Sequence, residues 1–215
     1  MYSGAISETF RHRAASSSTR SRKISYVEQI ASDDIPTSVN SWQITRFLGR
    51  GGFGEVHVGE DGDRKVALKF LRKSDINTLV AAERTSREIQ CLFALNNRNI
   101  IKLHGTHDMH NFLVLEFDLA DGGDLHRYLV SRGTTAREIR LPEADARKVF
   151  HQIVNAVSYA QIQSIVHRDL KLENVLLASP GSLDVVLLAD FGLAQVRYQV
   201  MGCTVSYDLL NGPSC

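Results

Sequence analysis

Apolar and polar positions alternate from Trp42 to Leu48, and from Glu55 to Gly59, where Val56 and Val58 share a face. They alternate again through Val66, Leu68 and Phe70. A period of two marks half-buried strands. Asp61-Gly62-Asp63 supplies a turn before the third run, so the pattern predicts a β-meander. From Ala81 to Leu95 the period changes. Ile89, Leu92 and Phe93 fall at i, i+3 and i+4, which predicts a helix. Phe112 to Phe117 reads as another short strand. After Gly122-Gly123 the character turns helical, and Pro142–Gln163 carries Val149, Phe150, Ile153, Val157 and Ala160 close to a 3.6 period. Ile165–Val166, Val175–Leu177 and Val185–Leu188 are short apolar runs, and no internal repeat is found.

With 215 residues the chain is expected to form one compact unit or two small lobes. Its 43% apolar and 23% charged residues are ordinary for a globular protein. Lys plus Arg number 25 and Asp plus Glu 24, a balance that argues against a nucleic-acid partner. No apolar run approaches the roughly 18 residues that span a bilayer, so no membrane role is expected. Cys91, Cys203 and Cys215 lie far apart without a CxxC pair. That argues against a disulfide scaffold or zinc site and suits an intracellular, reducing compartment, cytoplasm or nucleus.

Residues 1–41 differ in character. The first 40 hold nine serines, and Arg11 to Lys23 carries five basic residues and no acid. Such a stretch buries too little surface to offset its ordering entropy, so a disordered Ser/Arg-rich arm is expected. Glu8 and the lack of an amphipathic face weigh against a transit peptide. Arg22-Lys23-Ile24-Ser25 has the form of a phosphorylation site, although a solvated basic linker is the plainer reading.

The chemistry concentrates in three places. The first is Gly49-Arg50-Gly51-Gly52-Phe53-Gly54-Glu55-Val56. A dinucleotide fold would place a helix after the glycines, but a strand follows here. A Walker loop would need Gly-Lys-Ser/Thr. A glycine-rich hairpin remains, either a tight turn or a cradle whose bare backbone amides approach phosphate oxygens. The second is Val66-Ala67-Leu68-Lys69. A lysine on this strand points into a cleft or out to water. Glu88, on the helical turn that carries Ile89 and Leu92, could face the sheet and pair with it. The third is His167-Arg168-Asp169-Leu170-Lys171-Leu172-Glu173-Asn174, followed sixteen residues after Asn174 by Asp190-Phe191-Gly192. At about one in twenty per position, seven such residues in order coincide by chance on the order of 10⁻⁹.

On these motifs, in this order and spacing, the sequence from about Trp42 to Val196 resembles the eukaryotic protein kinase family. Lys171, two residues after Asp169, resembles the serine/threonine branch. Phe117-Asp118-Leu119-Ala120-Asp121-Gly122-Gly123-Asp124-Leu125 resembles the hinge of calcium/calmodulin-type and checkpoint-type kinases. The resemblance implies an α+β, two-lobed fold. Residues 42–121 would form the β-rich N-lobe and hinge, and 122–197 an incomplete helical C-lobe. It implies ATP and Mg²⁺ as cofactors and a Ser/Thr-bearing protein as substrate. Gly49, Gly51, Gly52 and Gly54 would cover the phosphates. Lys69, held by Glu88, would contact them. Asn174 and Asp190 would hold the metal, Asp169 would accept the substrate proton, and Lys171 would neutralise the transferred phosphate. Val56 and Ala67 would roof the adenine and Leu176 floor it. Phe117, rather than Leu115, would guard the back of the slot. Asp118 and Ala120 would offer backbone groups, and Asp124 would reach the ribose. His167 and Phe191 would pack beneath the catalytic loop.

The resemblance decays after Val196. Twenty-three residues follow Gly192 with no Ala-Pro-Glu, and Pro213 stands in Asn-Gly-Pro-Ser. Gln161 and Asn97-Arg98 also depart from the family pattern. The expectation is a truncated catalytic domain with a non-kinase-like tail over 198–215. If Phe150, Ile153 or Val157 were exposed, each would forfeit roughly 1.5–3 kcal/mol. Against a stability of about 5–15 kcal/mol, that predicts a marginal or aggregating chain. A nucleotide-binding module without transfer activity, or a non-functional product, are the alternatives.

Overall fold

The computed structural model describes residues 35–51, 54–133, 139–200, 203–208 and 212–214. The predicted arm and its candidate phosphorylation site lie outside them up to residue 34. Strands β1 (Ser38–Val39), β2 (Trp42–Gly51), β3 (Gly54–Asp61), β4 (Arg64–Arg72), β5 (Leu103–Asp108) and β6 (Phe112–Asp118) form one sheet. Its order is β1-β2-β3-β4-β6-β5, antiparallel throughout. Gly62, at φ 60, makes the β3–β4 turn that the sequence predicts. Two strands escape the sequence pattern. β1 buries Val39 to 1% exposure, ahead of the boundary at 41 expected from the sequence. β5 has Leu103 as its one large apolar residue and exists because β6 offers it an edge.

Alternate residues of β4 feed two cores. Val66, Leu68 and Phe70 pack with Val39, Trp42, Phe112 and Val114. Ala67 and Leu71 pack with Ile89, Cys91 and Leu92 of helix α1 (Leu79–Ala94). Thr78 caps α1, its hydroxyl accepting the Ala81 N–H at 3.2 Å. The buried stripe of α1 centres on Glu88 and Leu92. Phe93, 100° further round, is 54% exposed, contrary to the predicted apolar face.

The second lobe holds α2 (Leu125–Val130), α3 (Glu143–Ile162), β7 (Ile165–Val166), a 3₁₀ turn at Leu172–Asn174, and the hairpin β8 (Val175–Leu177)–β9 (Val186–Leu188). α3 packs on β7 and β9. The loop before β5 is bolted to this lobe: Leu188 N donates to Asn99 O at 2.8 Å and Ile101 N to Leu188 O at 3.0 Å. The α+β, two-lobed architecture expected from the sequence is therefore present, with few helices in the second lobe. Where no period was visible in the tail, the backbone forms β10 (Gln195–Val200), β11 (Cys203–Asp208) and β12 (Gly212–Ser214). These continue from β7 in the order β12-β11-β10-β7.

α3 buries Val149, Ala156 and Ala160. Ile153 and Val157 are partly covered, whereas Phe150 is 64% and Val154 42% exposed. Ala156 and not Phe150 lies on the inward stripe. Phe150→Ser is expected to shift stability by no more than about 0.5 kcal/mol, as for surface positions generally. It should lower light scattering on heating, because the exposed ring is an aggregation contact. A fall of several kcal/mol in a chemical melt would show that the ring packs in solution.

Candidate active site

Lys69 lies mid-strand in β4 on the face shared with Ala67 and Leu71. Glu88 rises from α1 opposite it, and Nζ donates to Glu88 Oε1 at 2.8 Å. The side chains are 17% and 7% exposed, so the ion pair is shielded from water. In the β3–β4 ladder Val56 pairs with Lys69 and Val58 with Ala67. In the β4–β6 ladder Ala67 pairs with Phe117 and Lys69 with Leu115. Val56, Ala67, Phe117, Ala120 and Leu176, drawn from both lobes, share one apolar cluster.

The segment leaving β6 is held tightly. Asp118 N donates to Lys102 O at 3.1 Å, and its carboxylate accepts from His104 Nε2 at 2.6 Å. Gly122 has no room for a side chain, because a Cβ there would stand 2.5 Å from Ser179 O and 2.6 Å from Leu177 Cβ. Asp124 caps α2, its Oδ1 accepting the Arg127 N–H at 2.8 Å. The sequence reading missed this capping role, although an aspartate ahead of a helical run is its usual sign.

Gly54 is forced by geometry. It adopts φ +140, and a Cβ would stand 2.0 Å from Phe70 O. Gly49 and Gly51 border open space. Gly52, between them and Gly54, lies outside the described residues.

The polar loop after β7 folds on itself. Asn174 Nδ2 donates to Asp169 O at 2.8 Å and to Asp169 Oδ2 at 2.9 Å. Lys171 Nζ donates to the same Oδ2 at 2.7 Å. The Lys171 hydrogen bond is the main reason the Asp169 carboxyl lies below its ordinary range, with Asn174 assisting against a burial penalty. Asp169 in turn holds the Lys171 ammonium above its ordinary range. Asn174 O accepts from Ala189 N at 2.8 Å, which ties this loop to Asp190. Asp190 takes φ 61, and its Oδ1 accepts the Gly192 N–H at 3.3 Å. A Cβ built on Gly192 would lie 3.2 Å from Asp190 Oδ1 and 3.5 Å from Glu88 Oε2. Gly192 therefore sits between Asp190 and the Lys69–Glu88 pair. The sequence motif names this glycine but not the reason for it.

Phe191 is 1% exposed and packs in the cluster that holds Leu92 and Leu103. Its ring meets His167 edge-on at 4.6 Å. Both expectations of a packing role are met. His167 Nε2–H donates to Ala189 O at 2.9 Å, and Nδ1 accepts the Asp169 N–H at 3.2 Å. This neutral tautomer uses both nitrogens, and burial pushes the imidazole below its ordinary 6.5. The unfolded chain then binds a proton the folded one refuses. Stability is expected to be full above about pH 6.5 and to fall as pH drops below it. His167→Gln should flatten the melting-temperature profile between pH 6.5 and 5.5. An unchanged slope would place the pH dependence elsewhere.

Arg168, at φ 66, donates from Nε to Leu193 O at 2.7 Å and from Nη1 to Gln195 Oε1 at 2.8 Å. It anchors the segment after Gly192, a role the sequence did not disclose. Among the described residues no group of three or more His, Cys, Asp or Glu side chains could by itself hold a metal, and no helix is long and apolar enough to cross a membrane.

A β4 lysine paired to a helix glutamate, above an Asp–Lys–Asn loop joined to an Asp-Phe-Gly turn, is the arrangement of one family. Residues 42–206 match the protein kinase domain, which runs past the boundary near Val196 drawn from the sequence alone. The chain belongs to the protein kinase family. It is 36% identical over 159 residues to the NUAK family SNF1-like kinase 2 of Rattus norvegicus and, equally, of Homo sapiens. Each alignment covers 74% of this chain and 24% of the relative. It is 34% identical over 178 residues to CBL-interacting protein kinase 3 of Oryza sativa subsp. japonica, covering 80% of this chain and 37% of that protein. The chain thus spans about a quarter to two fifths of these relatives' length. Its kinase domain is homologous to those of serine/threonine kinases, a family that typically uses ATP and Mg²⁺.

Proposed function

We propose that this chain binds ATP with Mg²⁺ and transfers the γ-phosphate to a serine or threonine hydroxyl of a protein. The observation that carries the reading is the convergence of Lys69–Glu88 and Asp190 on Gly192, with Asp169 and Asn174 joined to the same turn. Phosphoryl transfer asks for positioning and charge stabilisation more than for covalent chemistry.

In this reading residues 42–121 supply the roof and 122–197 the floor. The adenine lies in the apolar cluster between Val56 and Ala67 above and Leu176 below, with Phe117 behind. Phe117, opposite Ala67, fits that guard position better than Leu115, which the register sets opposite Lys69. The backbones of Asp118 and Ala120 offer the edge hydrogen bonds. Asp124 reaches toward the ribose with whatever capacity its cap leaves. Amides of Gly49, Gly51, Gly52 and Gly54 cover the phosphates, and Glu88 fixes the ammonium of Lys69 against them.

Asn174 and Asp190 fit a hard cation. Both Nδ2 donations of Asn174 go to Asp169, so its Oδ1 is the atom left for a metal, and the Ala189 N–Asn174 O hydrogen bond joins it to the segment that carries the Asp190 carboxylate. Magnesium, when bound, neutralises phosphate charge, and it ordinarily shares its ligands with the nucleotide rather than taking an all-protein cage. Asp169 is held ionised, so it can orient the substrate hydroxyl and take its proton. Lys171, fixed by Asp169, faces the charge that develops on the transferred group. The segment Phe117–Leu125 resembles the hinge of calcium/calmodulin-type and checkpoint-type kinases, whereas the relatives found are SNF1-like and CBL-interacting kinases.

The test is a thermal melt of the chain with ATP and with MgATP, followed by transfer of labelled γ-phosphate to a mixed Ser/Thr and Tyr peptide library. Magnesium-dependent stabilisation and label on Ser/Thr peptides are expected. Stabilisation without transfer would favour a nucleotide-binding module, and no stabilisation would overturn the reading.

A further inference from the structure

The glycine hairpin poses a packing problem. Where a Cβ would stand at Gly49 and Gly51 there is open space, so these positions contribute no side-chain packing to the hairpin end. The restraint lies on the opposite face of the sheet from Lys69. Arg50 and Glu55 pair across the two strands, and the Arg50 guanidinium donates to Glu55 Oε1. Glu55 Oε2 faces His57 Nε2 at 3.4 Å, and Arg72 of β4 stands 4.0 Å from Oε1. The Glu55 side chain is 15% exposed, against 71% for Arg50. The carboxylate is thus a half-enclosed point at which β2, β3 and β4 meet.

Aromatic rings back this point. His57 meets Phe47 edge-on at 5.3 Å and Phe70 at 5.7 Å, and Phe70 meets Phe112 at 5.7 Å. Arg72 lies over Phe112 at 5.5 Å. The Arg50–Glu55 rung is one step from the Gly51–Gly54 pair that ends the ladder. Burial resists ionisation of Glu55, but the hydrogen bonds with Arg50 and His57, together with the Arg50 charge, hold its carboxyl below the ordinary range.

We propose that Glu55 is a positioning residue. It staples the glycine hairpin to β4 from behind and so sets how closely the hairpin amides approach the phosphates, without touching the nucleotide itself. The inference rests on the ATP-binding reading above. The apolar slot is held separately, by the Val56–Lys69 and Val58–Ala67 pairs and by the core. Loss of the staple is therefore expected to act on phosphates and to spare adenosine.

The test titrates the full chain with MgATP and with adenosine. Glu55→Ala should weaken MgATP about 3- to 10-fold, the range of one net hydrogen bond. Adenosine affinity should change by less than about twofold. Arg50→Ala should repeat this selectivity, and the double variant should be no worse than either single one. Amide exchange over residues 46–51 and 54–57 should rise in the ligand-free Glu55→Ala protein. Equal weakening of both ligands, no weakening of MgATP, or additive losses in the double variant would each overturn the staple. A wild-type chain that binds neither ligand overturns the ATP reading instead. The staple then stands or falls on amide exchange alone, and unchanged exchange removes it.

Discussion

Asp190→Asn is expected to abolish magnesium-dependent phosphoryl transfer while leaving the fold intact. The substitution keeps size and shape. Asn tolerates the left-handed conformation that Asp190 adopts at φ 61, so no backbone strain is added. Its amide oxygen can still accept the Gly192 N–H now seen at 3.3 Å. What is lost is the negative charge that would face the metal. Removing one electrostatic stabiliser from an enclosed site costs about 10²- to 10³-fold in rate. The check is paired: a chemical melt within about 0.5 kcal/mol of the parent, and loss of the extra stabilisation that Mg²⁺ gives to bound ATP. Retained magnesium dependence would remove Asp190 from the metal site.

Lys69→Met is expected to lose transfer and stability together, for two separable reasons. Methionine matches the length of the lysine stem but leaves Glu88, 5% exposed, without its 2.8 Å partner. Stranding a buried charge costs about 3–5 kcal/mol. That is a large part of the roughly 5–15 kcal/mol by which a domain is stable. Replacing both partners by apolar residues is often neutral. Lys69→Met with Glu88→Leu should therefore regain most of the melting midpoint and none of the transfer. Recovery of activity in the double variant would mean that the pair serves stability alone.

These two residues show how unevenly the sequence speaks. The Lys69–Glu88 pair was legible because strand alternation placed Lys69 and helix periodicity placed Glu88 beside Ile89 and Leu92. Each statement is local. The same local reasoning misjudged Phe93, which is 54% exposed, and left open whether Phe150 would be covered. Periodicity gives the width of an apolar stripe but not its centre, which the neighbouring strands fix. Strand β5 and the 195–214 ladder were invisible for a related reason. Their pairing is supplied by partner strands, and their own residues carry little alternation.

The sequence by itself determined the order of the motifs and, through their resemblance to one family, the expected two-lobed architecture, because seven motif residues in fixed order and spacing are properties of the chain alone. Only the tertiary structure decided that Gly192 lies between Asp190 and Glu88, and that Glu55 gathers Arg50, His57 and Arg72 behind the glycine hairpin. The first depends on how the turn after β9 packs against α1, and the second on strand register and on which face of the sheet turns inward. Register is a cooperative outcome of burial over the whole lobe, and no short stretch of sequence contains it.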